Sequence, residues 1–263
     1  MEKSKRIITG PLEGISRSLL RGSRRVRRKA LGHTQIFFGN VKNVRVEDRV
    51  KPSERKARTE ALLEKKGIPF FSGLPCIESE HETELRTPEE VGIRMYCLFC
   101  VIGAAYDWTD ISCSRYLKKY GLWKHLTPAE VAFLSNLPPD KRSATKFTWR
   151  TEALFLLMWA VRLIGTLPFP THQTDNEQII SVFPSFIKSP WPFISALELR
   201  PKSDILDASD LLYRLHWATT QAELEAKPAP AGLDPDVVYE WHYAINWLTK
   251  YDNLDWDEVT TDT

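Results

Sequence analysis

Glycine and cysteine are scarce in this chain, twelve and four among 263 residues. So few glycines build no G-x-S-x-G elbow, no Walker loop and no G-x-G-x-x-G, and H-E-x-x-H is missing too. Phosphate-cradling loops and the nucleotide chemistry they serve therefore lose support. Long hydrophobic runs are also lacking. The longest, Met95 to Tyr106 and Ala153 to Val161, fall short of the ~20 apolar residues that span a bilayer, so no transmembrane helix is expected. No apolar segment precedes the first arginines, which argues against a secretory signal and for a cytoplasmic protein.

In that reducing compartment Cys76, Cys97, Cys100 and Cys113 are expected as free thiols. Cys97 and Cys100 form a C-x-x-C, which Cys76, Cys113 or His81 would have to complete as a zinc site. No second C-x-x-C exists, and Met95 to Ile102 reads as an apolar helix in which cysteine acts as a small hydrophobe. Neither a metal nor a cofactor is expected.

What the chain does hold is aromatic bulk: nine Trp, eight Tyr and twelve Phe within a 43% hydrophobic composition. That supports a packed globule, which at this length buries roughly 70% of the unfolded surface. Charge is distributed unevenly. Residues 1–66 carry 19 Lys and Arg against 7 Asp and Glu, while residues 67–263 carry 17 against 27, a basic arm on an acidic body. Arg24, Arg25, Arg27 and Arg28 form the densest block. They suit nucleic-acid phosphates or an anionic membrane surface, and equally a solvated, partly disordered tail or an organelle transit peptide, although Glu2 and Glu13 spoil the acid-poor rule of the last. The division predicted is an arm over 1–52 and a helical domain over 53–263.

Helix starts punctuate the body. Thr87-Pro88-Glu89-Glu90 and Thr127-Pro128-Ala129-Glu130 each combine a capping threonine, a proline at the first helical position and a glutamate that reaches back. Asp234-Pro235 opens another helix, and Thr174 with Glu177 reads as a further capping box. Prolines and Gly121 supply the stops, which gives some eight or nine helices. Ala153, Leu156, Trp159, Ala160 and Leu163 repeat at the helical period, with Phe155 and Met158 widening the stripe, so this helix is expected at the centre. Strand signals are confined to Ile36 to Phe38, Val44 to Val46 and Ile68 to Phe71. The expected class is mainly α, a compact multi-helix domain with a short β-hairpin near the start.

The segments Asp210 to Trp217 and Tyr239 to Leu248, with the ending Asp255 to Thr263, combine aromatic and charged residues in a fixed order. With Trp149-Arg150-Thr151-Glu152, Arg86-Thr87-Pro88-Glu89-Glu90 and Leu74-Pro75-Cys76-Ile77-Glu78, they resemble the family catalogued as domain of unknown function 4272, over about four fifths of the chain. The resemblance implies a mainly bacterial family and brings no activity with it. The first 50 or so residues and the Cys97/Cys100 pair depart from the family pattern.

Polar residues inside these motifs are the candidate site. Asp210 and Arg214 stand i,i+4 and pair along one helix. If the three helices concerned pack together, Glu152, Arg214, Glu240 and His242 converge. In an enzyme, Glu240 or Glu152 would be the general base, His242 its acid partner and Arg214 the clamp for an anionic substrate. The competing reading is a buried ion-pair and hydrogen-bond lattice that locks helix register. The expected function follows the second: a non-enzymatic helical interaction module, immunity-like or adaptor-like, whose acidic surface docks a basic protein. A small-molecule enzyme using the Glu/His/Arg network is the alternative, and association of the arm with nucleic acid or membrane is the third. The final stretch is expected to dock through Trp247, Tyr251 and Trp256, with its aspartates capping helices or meeting Arg86 or Arg200.

Overall fold

A computed structural model describes residues 50–107, 113–183 and 188–263. Most of the basic arm, including Arg24, Arg25, Arg27, Arg28 and the strand signals at 36–38 and 44–46, lies outside them. Among the described residues there are nine α-helices and no strand. They are α1 (Pro52–Lys65), α2 (Pro88–Ala105), α3 (Cys113–Lys119), α4 (Pro128–Ser135), α5 (Lys141–Ala160), α6 (Asn176–Val182), α7 (Trp191–Ile194), α8 (Lys202–Leu224) and α9 (Pro235–Leu248).

Packing runs α2 on α5, α5 on α9, α9 on α8 and α8 on α1, while α3, α4 and α7 cover the outer side of α2. The apolar stretches of α2 and α5 are interior, as their composition demands. Every residue from Ala153 to Ala160 is buried, and so is every residue of α2 from Arg94 to Gly103. Gly92 permits the close approach of α7 and the residues after it, because a Cβ there would lie 3.0 Å from Ile194 Cγ2 and 2.8 Å from Leu197 Cδ1. A smaller apolar cluster, with Leu63, Ile68, Leu215 and Val238 at its centre, joins α1 and α8 to α9.

Helix starts follow the sequence at Thr87, Thr127 and Asp234. Both threonines form complete capping boxes, and the Asp234 carboxylate accepts from the amides of Asp236 and Val237. The fourth signal is misplaced by one residue. Asp175 caps α6, and Thr174 instead turns both its donors to Glu152. The Ile68 to Phe71 segment is not a strand. Gly67, at φ +65°, closes α1 in a Schellman turn, where the Ile68 amide donates to Leu63 O at 2.9 Å and the Gly67 amide to Glu64 O at 3.0 Å. Pro69 then offers no amide for a ladder.

Candidate functional site

Helix α9 separates the sequence candidates by direction. Glu240 and Trp241 meet α5, while His242 meets α8. Glu152, on α5, is 2% exposed, and three donors hold its carboxylate: Thr174 N at 2.6 Å, Thr174 Oγ1 at 2.8 Å and Trp241 Nε1 at 3.1 Å. Burial pushes this carboxyl above the ordinary glutamate range, against the pull of those hydrogen bonds toward the anion.

At the same interface, two residues earlier on α5, Arg150 Nη1 donates to Glu240 at 3.0 Å. Burial raises its pKa too, with Arg150 opposing. The Arg150 guanidinium also lies 4.1 Å from the Tyr243 ring centroid and 5.8 Å from that of Trp256. Arg150 was not among the residues singled out from sequence, since nothing local marks an arginine whose partner is ninety positions away.

The His242 Nδ1 stands 3.0 Å from Nδ1 of His216, so one ring donates and the other accepts. Burial, reinforced by His216, pushes the His242 pKa down to about 3. Burial lowers His216 as well, and a backbone hydrogen bond to Thr261 in the final segment works the other way. Tyr213 and Tyr239 flank this pair.

Arg214 lies elsewhere, toward α1. It is fully buried and reaches Asp210 through two bonds of 3.0 and 3.2 Å, as the i,i+4 spacing predicted, and donates to Pro75 O at 3.1 Å. Glu60 Oε1 stands 3.6 Å from its Nη1, an ion pair without a hydrogen bond. Thus the four candidates are all interior, but only Glu152 and Glu240 share an interface.

A further buried pair has no local signature of its pairing in the sequence. Arg94 in α2 grips both carboxylate oxygens of Glu130 at 2.5 and 2.6 Å. Glu130 thereby serves twice, since it also completes the Thr127 capping box. An arginine inside an otherwise apolar helix was the available signal.

Trp256 joins these groups. Its ring makes edge contacts with Tyr243 and Trp247, lies beneath Arg94 and Arg150, and its carbonyl accepts from the Tyr243 hydroxyl. Asp257 accepts from the Ala129 amide at the start of α4, and Asn246 Nδ2 donates to Thr260 O at 2.9 Å. The tail is docked as expected, and Arg86 meets it through Leu254 O at 2.9 Å. Arg200 does not. It closes α5 by donating to the carbonyls of Trp159, Ile164 and Gly165.

Two clefts lie away from these groups. One cleft of about 340 Å³ sits between α4 and the start of α5, by Phe133, Asn136 and Lys146. Another of about 330 Å³ is lined by Glu78, Glu82, Glu84 and Asp252, with Lys250 paired to Glu84. Neither is lined by Glu152, Arg214, Glu240 or His242. Among the described residues no group of three or more His, Cys, Asp or Glu is arranged to hold a metal ion, and no helix is long and apolar enough to cross a membrane.

No curated protein and no solved structure matches the chain. One family model does, over residues 55–259, from the buried Arg55 of α1 to Val259 in the docked tail, and the chain belongs to the family described as domain of unknown function (DUF4272).

Proposed function

We propose that this chain is a non-enzymatic helical interaction module, adaptor-like or immunity-like, that works in the cytoplasm and docks a basic protein segment on its acidic surface. The observation that carries this reading is the enclosure of Glu152, Arg214, Glu240 and His242, none more than 6% exposed. A general acid or base has to reach its substrate, whereas a lattice that fixes helix register works best sealed. With these four groups enclosed, recognition falls to the exterior, where residues 67–263 carry ten more acids than bases. The cleft of Glu78, Glu82, Glu84 and Asp252 is the face that best suits lysine and arginine side chains.

Titration with a short lysine-rich peptide tests the reading. Binding should weaken with salt and be lost in the Glu78→Gln, Glu84→Gln, Asp252→Asn triple variant. Glu82 is left in place because it accepts from Ser79 within its own turn. Unchanged affinity in the triple variant would reject the cleft as the docking face.

A further inference from the structure

Among the described residues, the acidic body carries a stretch of the opposite sign along α3. Residues 111–129 contain Arg115, Lys118, Lys119 and Lys124 and no Asp or Glu. All four cations are exposed, along α3 and the short 3-10 turn Trp123–His125. Lys188 is brought beside them because the Tyr116 hydroxyl donates to its carbonyl at 3.1 Å. Among the described residues none of these five cations has a carboxylate partner. Elsewhere in the described residues six arginines hold carboxylates. Glu89 of α2 acts on this face from the side of His125.

Two half-exposed aromatic rings are interleaved with the charges. Lys118 Nζ lies 4.4 Å from the Trp123 centroid, and Lys119 Nζ lies 4.9 Å from that of Tyr120. Both rings also rest on the hydrophobic core. A ring packed below and covered above by an ammonium offers no platform on which a nucleic-acid base can stack. A long polyanion that follows the protein surface would moreover run onto the acidic remainder of the body. A flat anionic surface avoids both problems, because it meets this face alone. Lysines with Trp and Tyr at their margin are the side chains suited to a headgroup layer.

We infer that the α3 face, Arg115, Lys118, Lys119 and Lys124 with Tyr120 and Trp123, is a peripheral docking surface for anionic phospholipid headgroups. It is separate from the basic block at Arg24 to Arg28. Attraction of this kind needs no inserted apolar residue and is screened by salt.

The test uses the whole 263-residue chain carrying Arg24, Arg25, Arg27 and Arg28→Ala, so that this block does not dominate. Sedimentation with vesicles of phosphatidylserine and phosphatidylcholine should show binding that falls steeply with salt, and vesicles of phosphatidylcholine alone should show little. Adding Lys118→Gln, Lys119→Gln and Lys124→Gln should lower binding about a hundredfold, at about fivefold per charge. The three Lys→Arg replacements should restore it, and amides of residues 113–126 should become protected from exchange on the vesicles. Unchanged binding in the Gln variant, protection confined to other segments, or tighter capture of a single-stranded oligonucleotide by the same lysines would each overturn the assignment.

Discussion

A carboxylate taken out of water costs several kcal/mol unless its lone pairs are occupied. Glu152 meets that demand with Thr174 and Trp241, tying the 170–174 loop to both α5 and α9. Thr174→Val keeps the shape and the amide but removes the 2.8 Å hydroxyl donor. It should cost about 1–2 kcal/mol in urea unfolding, and an unchanged midpoint would show that the hydroxyl is dispensable. The histidine pair gives a pH signature of definite sign. His242 stays neutral down to about pH 3, while the unfolded chain takes up that proton near pH 6.5, so folding loses stability as pH falls through this window. The slope is about 1.4 kcal/mol per pH unit for one histidine. Glu152 and Glu240, raised by burial, act with the opposite sign above the ordinary glutamate range. The histidine effect is therefore read as a difference, and His242→Gln should flatten the decline between pH 7 and 5. An equal decline in the variant would assign it to other groups. At this scale the sequence revealed the i,i+4 pair Asp210/Arg214 because its geometry is local. It was silent on Arg150 with Glu240 and Arg94 with Glu130, whose pairing depends on which helices meet.

Helix ends show the same division between local and distant information. The Gly121 end is legible because glycine adopts positive φ without cost. The end of α8 is marked by Pro228 but its turn is not, since Ala226 occupies the left-handed position at φ +52° and closes the turn, with Lys227 N to Ala222 O at 2.8 Å. Ala226→Gly should stabilise the protein by about 0.5–1 kcal/mol, the relief of backbone strain exceeding the added freedom of the unfolded chain. A lower melting temperature would contradict that account of the turn. Thr174 was misread for the converse reason: threonine three residues before a glutamate matches a capping box, yet Asp175 is the better-placed acceptor and Glu152 competes for the threonine. The tail was legible through its tryptophan. Trp256, 4% exposed beneath Arg94 and Arg150, should cost about 3–5 kcal/mol when replaced by alanine, lowering the melting temperature by about 10 °C. An unaltered melt would mean that the final turns do not hold the helices together.

For the whole molecule, apolar periodicity located the central helix because a stripe widened to a full circumference has nowhere to go but inside. Periodicity and capping signals alike carry no information on whether a polar group in that interior faces a neighbour or a cavity. The row of helices from α2 through α5, α9 and α8 to α1 settles the matter by geometry. It sets Glu240 against Arg150, Glu152 against Trp241 and Arg214 against Glu60 of α1, and leaves the two clefts to other residues. The central claim is that the polar residues of the family motifs maintain the fold and leave function to the surface. Catalytic groups commonly reduce stability, so their removal is neutral or stabilising. Removal of one member of a buried pair strands the other and costs about 3–5 kcal/mol. Equilibrium urea unfolding of Arg214→Ala discriminates most directly: a loss of that size at unchanged m-value is the predicted result, and a midpoint equal to or above that of the parent chain would contradict the account.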